Sequence, residues 1–296
     1  MEISPEDWQM ALPLDSTVAD REMTVAATGP MPDITTLVSI SALAYVLAVA
    51  LHEHVGHSAM CRLMGSHTLE MGAFYSNCDS AQLSSAGQRW VSAAGPLVSL
   101  LLGLFGLRMI SAMKEASAAG RYFWWLLGSL GCMEAAGYPL FSGVSGLGDL
   151  GTSAEGVLYG ARPEWLWRAL LVAVGFLSYW WAARFALSNL MPLLSGTGAA
   201  RIQVAGRAAL ISYVVGAVIY LVIGALNPYG LQIVLLSVLP SSLGGTCGLL
   251  WMFRLADPAG SSHGPGLYFQ RRWAWILAGT VTTIVYAAVF GPTVRG

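Results

Sequence analysis

The sequence predicts an all-α, polytopic integral membrane helical bundle of about seven spans, and three observations point to it. Of the 296 residues, 55% are apolar and only 10% are charged, with a mean hydropathy of +0.61. A soluble domain carries about 25% charged residues, so most of this surface must face lipid. The apolar residues also fall into seven runs, each close to the length of about 20 residues that crosses a hydrocarbon core. Finally, aromatic residues gather at the ends of those runs, among them Trp124, Trp125, Trp165, Trp167 and Trp273. Amphipathic rings settle at that depth, between lipid and water.

The runs extend from Thr35 to Met60, Trp90 to Met113, Tyr122 to Val144, Trp165 to Leu187, Ala205 to Leu226, Leu231 to Phe253, and Trp273 to Phe290. The Asn227-Pro228-Tyr229-Gly230 turn makes the fifth and sixth a tight hairpin. Pro240 and the Gly244-Gly245 pair should kink or break the sixth. Residues 1–33 are acidic, hold a single basic residue in Arg21, and lack the pattern of a secretory signal. They are read as a retained polar leader. Residues 34–151 are read as a three-span metal-binding core and residues 152–296 as a four-span accessory region. The cysteines Cys61, Cys78, Cys132 and Cys247 form no CxxC pair and predict no disulfide framework. A net charge of -1 without a basic run excludes nucleic acid as a partner. The lipid bilayer is the partner that composition demands.

Orientation follows from Lys and Arg. With seven spans, the side of the N-terminus holds Arg21, Arg108, Lys114, Arg121, Arg184, Arg201, Arg207, Arg254, Arg271 and Arg272. The other side holds Arg62, Arg89, Arg162, Arg168 and Arg295. This bias favours a cytoplasmic N-terminus, in a multi-pass protein of a bacterial inner (cytoplasmic) membrane.

The chemistry concentrates on the first span. The chain has five histidines, and three lie in the segment His52-Glu53-His54-Val55-Gly56-His57, with His67 close behind. A polar side chain in a span costs about 2 to 4 kcal/mol unless it is paired or bound. One such histidine is usually a solvated residue at the membrane edge, but a cluster beside a glutamate suits zinc. Imidazoles ligate the ion and a spare carboxylate serves as general base. In an ordinary HExxH motif the histidines lie four apart, about 40° round a helix. His52 and His57 lie five apart, about 140° on a regular helix. A one-residue π-bulge would bring them together, and Gly56 would tolerate the distortion. His52 and His57 are therefore the expected ligands, with His54 as the alternative first ligand, and Glu53 as the catalytic acid/base.

A catalytic zinc site takes three protein ligands. The third must lie level with the end of the first span, and whatever follows the third span does. Gly146-Leu147-Gly148-Asp149 occupies that place, which makes Asp149 the expected third ligand. Its plain alternative is a loop aspartate capping a helix. Glu134, inside the third span, is a second intramembrane acid. It is an alternative ligand, a partner to a histidine, or a clamp between helices.

The His52–His57 motif, the small-residue turn Ala93-Ala94-Gly95-Pro96 leading into the apolar Leu97 to Leu104, and the acid after the third span resemble the site-2-protease class of intramembrane zinc metalloproteases. The resemblance covers roughly Ala42 to Gly151, about a third of the chain. It implies a three-span core, with His52 and His57 as histidine ligands, Glu53 as the catalytic glutamate and Asp149 as the aspartate ligand of Zn2+. The histidines here stand one residue further apart than in that family, and Gly137-Tyr138-Pro139 and Gly148-Asp149 replace its Asn-Pro-rich stretch. The implied activity is hydrolysis of peptide bonds in or near the spans of a membrane-spanning polypeptide substrate. The polar segment Ser76 to Gln88 would admit water. Two other readings stay open: a non-catalytic metal-binding or structural membrane subunit, and a transporter using Glu53, Glu134 and the histidines. The chain lacks the paired halves common among transporters.

Overall fold

The computed structural model describes residues 31–113 and 117–295. Most of the polar leader, with Arg21, lies outside the described residues, as does Lys114. Helix α1 runs from Ile34 to Leu63. Its start is set by Asp33, whose carboxylate accepts from the Thr36 amide and hydroxyl, both at 2.9 Å, satisfying a donor that the helix leaves free. That amide, with Arg271, holds the Asp33 carboxyl below the usual carboxylate range. Thirty residues of helix span about 45 Å, so α1 crosses the hydrocarbon and continues beyond it.

Helices α2 (Ser85–Ala112) and α3 (Ala118–Ser145) are capped in the same manner, by Ser84 on the Gly87 amide and by Ser117 on the Gly120 amide. They are followed by α4 (Glu164–Leu190), α5 (Gly198–Ala225), α6 (Leu231–Leu255) and α7 (Trp273–Phe290). Among the described residues, six helices are long and apolar enough to cross a membrane: all but α3. The expectation of seven equivalent apolar runs is corrected at α3. It equals α2 in length but carries Glu134 in its middle, and most of its residues are buried against other helices. Its polar content needs no lipid-facing compensation, because little of the helix meets lipid. As expected, α6 is broken. Pro240 cannot donate to the ladder, and the helix passes through π-turns at Val234–Val238 and Pro240–Gly244 before resuming at Gly248.

Close backbone approach holds α3 in place. A Cβ on Gly106 would sit 2.8 Å from Gly128 Cα, and one on Gly143 or Gly175 would come within 2.8 Å of α4 or α3, respectively. Lipid gives helices no hydrophobic drive to associate, so small residues that admit close packing do that work. Buried hydroxyls add ties. Ser41 Oγ lies 2.7 Å from Ser212 Oγ, and Tyr122 Oη 2.8 Å from the same atom. Tyr220 donates to the Tyr45 carbonyl at 2.8 Å, and Tyr45 to Thr246 at 3.0 Å.

Two small antiparallel sheets decorate the ends of the bundle. On the side of the N-terminus, β3 (Ser195–Thr197) pairs with β4 (Ser261–His263). On the other side β1 (Thr68–Met71) lies between β2 (Ser76–Cys78) and β5 (Val294–Arg295). The β1–β2 hairpin folds back on the end of α1, and Cys61 and Cys78 form a disulfide there with Cα atoms 5.9 Å apart. The expectation of no disulfide is thus overturned. A separation of 17 residues matches no motif, and only the hairpin brings the two sulfurs together. Closing a loop of that size removes about 3 kcal/mol of unfolded-state entropy. In maleimide labelling of the purified protein, Cys61 and Cys78 should stay unmodified until a reductant is added, whereas half-buried Cys247 labels without it. Labelling of Cys61 and Cys78 in unreduced protein would contradict the pairing.

Candidate metal centre

The centre begins with a change of helical pitch. From Leu51 to Ser58, α1 is a π-helix, which closes its ladder at i to i+5. Residues five apart then come to the same face. The His52 and His57 rings stand 4.9 Å apart, and their Nε2 atoms only 3.2 Å apart. Gly56 has a different part from the one expected of it. Its φ/ψ asks for no special residue, but a Cβ there would sit 2.7 Å from Gly95 Cα on α2. Gly56 lets the two helices touch.

Asp149 reaches the pair from the end of α3. The helix stops at Gly146 (φ +78°), and Gly148 (φ +74°) turns the chain again, both in the left-handed region that glycine adopts without strain. Asp149 Oδ2 then lies 3.3 Å from His52 Nε2 and 3.4 Å from His57 Nε2. Tetrahedral zinc with ligands at 2.0–2.1 Å separates its donor atoms by about 3.3 to 3.4 Å. The three edges of this triangle, 3.2, 3.3 and 3.4 Å, fit that spacing.

The protons support the same fit. His57 Nδ1 lies 2.8 Å from the Val91 carbonyl, which can only accept, so Nδ1 carries the hydrogen and Nε2 of the neutral ring is bare. His52 Nδ1 lies 2.9 Å from Ser99 Oγ, and Tyr138 Oη lies 2.8 Å from His52 Nε2. Asp149 Oδ2 is covered and has no hydrogen-bond partner. Two imidazole Nε2 atoms and a carboxylate oxygen thus face one another in a buried place, an arrangement that suits a cation. The cluster can chelate a metal ion.

Its floor is Gly95, where a Cβ would collide with Nε2 of both His57 and His52. On the open side, Glu53 is buried and lines the same cavity as His57. It is close enough to His52, His57 and Asp149 for their charges to interact. Tyr138 stacks on His52 with planes 10° apart and centroids at 4.8 Å. The cavity has a volume of about 1180 Å³ and reaches from the metal cluster past Ser76, Asn77 and Gln88 to the broken helix α6. The polar segment expected to admit water does line it.

Of the residues singled out in the sequence, the structure brings together His52, His57 and Asp149, with Glu53 beside them. It does not bring in His54, which lies on the opposite face of α1, its ring 4.1 Å from that of Phe290 and neither nitrogen bonded. The π-turn that gathers positions 52 and 57 rotates position 54 away. Glu134 is outside the triangle too and lines the cavity instead. His67 sits in the loop before β1, its carbonyl accepting from Asp79. Sequence reasoning missed Tyr138, Ser99 and the Val91 carbonyl. It quoted Gly95 only within a small-residue turn, with no sign that the glycine faces the imidazoles. No protein-family model, characterised protein or solved structure matches the chain.

Gly95→Ala tests the floor directly. The added methyl should lower metal affinity at least tenfold while circular dichroism stays unchanged, read as metal content after equilibration with a buffered divalent ion. Undiminished metal content would mean that the ion, if any, lies elsewhere.

Proposed function

We propose that the chain is an intramembrane zinc metalloprotease, a distant relative of the site-2 proteases, which hydrolyses peptide bonds in or near membrane-spanning segments. The observation that carries this reading is the triangle of two imidazole nitrogens and a carboxylate oxygen buried beside Glu53, at the head of a cavity. Two imidazoles and one carboxylate in tetrahedral spacing suit zinc better than calcium or magnesium, which prefer all-oxygen shells. His52, His57 and Asp149 would hold the ion, which when bound supplies Lewis acidity to the scissile carbonyl and acidity to a water.

The protein groups do the rest. Glu53 takes the proton of the attacking water and later gives it to the leaving amine. Tyr138, held by its stack on His52, donates its hydroxyl to the carbonyl oxygen as that oxygen gains charge. Ser99 and the Val91 carbonyl fix the two rings through their Nδ1 atoms, as outer partners of metal-bound histidines do. In this reading residues 34–151 form the three-span catalytic core and residues 152–296 an accessory region, whose broken α6 forms the far wall of the cavity. The Cys61–Cys78 disulfide and the excess of Lys and Arg on the opposite side support a site facing the extracytoplasmic, oxidising compartment.

Purified protein should carry about one zinc per chain, and His57→Ala and Asp149→Ala should each lose it. Glu53→Gln should keep its zinc and lose turnover of a transmembrane substrate by about 100-fold or more. If Glu53→Gln cleaves as well as the wild type, Glu53 is not the base; if the zinc-loaded wild type cleaves no membrane-spanning substrate, the chain is a metal-binding membrane subunit and not a protease. Tyr138→Phe should also retain zinc, with kcat down about 100-fold and KM nearly unchanged. Loss of zinc in that variant would make the phenol a ligand instead of a donor.

A further inference from the structure

The cavity contains a second acid for which the proposed hydrolysis has no use. Glu134, in the middle of α3, is 6% exposed, lines the cavity, and has one carboxyl oxygen fully covered without a hydrogen-bond partner. An ionised carboxyl buried without a partner costs several kcal/mol, and a cation entering the cavity would remove that cost. The charge of the cavity favours such an occupant. Among the described residues that line it are four acids, Glu53, Glu134, Asp149 and Glu155, and neither a Lys nor an Arg. Asp149 faces two imidazoles, and Glu53 is taken up by proton transfer in the proposed mechanism. Glu134 alone lies deep in the wall without a counter-charge.

We infer that Glu134 forms a subsite for an ammonium or guanidinium group carried by the polypeptide substrate. This inference rests on the proteolytic reading for the identity of the ligand, and on Glu134 and its cavity for the chemistry. The lining of the same cavity suits such a group. Gly137 stands three residues further along α3, where a Cβ would meet Gly245 Cα at 3.5 Å and the Tyr179 ring at 3.8 Å. Position 137 thus lies in contact range of Tyr179, and Tyr179 and Trp251 both line the cavity. Aromatic faces attract an organic cation, most of all where water is excluded, and a carboxylate within reach forms the charge-assisted hydrogen bond.

Position along α3 sets the distance from the reaction. Tyr138 touches the metal cluster, and Glu134 lies four residues earlier on the same side of the helix, about 6 Å along its axis. An extended peptide advances about 3.3 Å per residue. The cation therefore belongs about two positions from the scissile bond, on the side that lies deeper in the membrane. A Lys or Arg at that depth is costly in lipid, so few substrate spans carry one and the subsite discriminates among them.

Two sources could supply the cation, a basic side chain or the free N-terminus of a peptide. The test uses full-length, zinc-loaded Glu53→Gln protein in nanodiscs, which binds without cleaving. Fluorescent transmembrane peptides are compared that differ only in Lys or norleucine at successive positions, each with a free or an acetylated N-terminus, and affinity is read by anisotropy. Acetylated Lys peptides should bind at least tenfold tighter than their norleucine counterparts at one or two adjacent positions. Adding Glu134→Gln should abolish the difference, and Glu134→Asp should retain most of it. A tenfold preference that follows the free N-terminus and not the lysine supports the subsite and assigns the cation to the chain end. Equal or undetectable binding of all peptides overturns the inference, as does a lysine preference that survives Glu134→Gln. Cleavage is scored separately with wild-type protein. Turnover without charge preference removes the subsite and leaves the protease, while a Glu134-dependent preference without turnover removes the protease and leaves the subsite.

Discussion

Two imidazoles and a carboxylate brought within 3.4 Å of one another inside a helical bundle are the contact on which the rest of the structure turns. In water, His52, His57 and Asp149 would each be solvated and free to turn. In the bundle each is fixed from behind: the histidines by hydrogen bonds at Nδ1, the aspartate by a loop with two left-handed glycines. The low dielectric of the interior makes both the mutual repulsion of bare donors and their attraction to a cation far stronger than at a surface. A cation-binding arrangement is the one in which this geometry lowers the free energy.

The scaffold follows from that demand. The three side chains come from α1 and from the end of α3, and α2 lies against both. To reach van der Waals contact with the π-segment of α1, α2 must present Gly95, because any Cβ would displace an imidazole. To hold α3 at the right depth, α2 and α4 approach it through glycines. The cavity on the remaining side is walled by α6, where Pro240 and the Gly244-Gly245 pair interrupt a regular helix. Irregular backbone at membrane depth is tolerated where it lines such a cavity. The disulfide and the β1–β2 hairpin then cover the centre from the membrane surface, where a loose loop would expose it.

Much of this was legible in the residues. Six of the seven apolar runs correspond to helices long and apolar enough to cross a membrane, and the break in α6 is announced by Pro240 and Gly244-Gly245. The i,i+5 spacing of His52 and His57 implies a π-turn if the two rings are to share a face, and the helix makes that turn. Asp149 follows from counting spans, since the two crossings between the end of the first span and the end of the third return the chain to the same membrane face. The spacing left His54 open as a ligand and gave no warning of Cys61–Cys78, because neither an opposite helix face nor a hairpin contact is written in local sequence.

Composition and periodicity alone determined that the chain spans a membrane many times, and histidine spacing alone determined where on the first span its chemistry gathers. These are local properties: the free energy of moving side chains into lipid and the angular repeat of a helix depend on neighbours in the chain. Which acid meets the imidazoles, which nitrogen of each ring is bare, that Gly95 is a floor, and that Tyr138 and Glu134 share a cavity wall with the centre were decided only by tertiary structure. Each depends on contacts between segments 34 or more residues apart, and those distances arise from the packing of several helices at once, which no single stretch of sequence encodes.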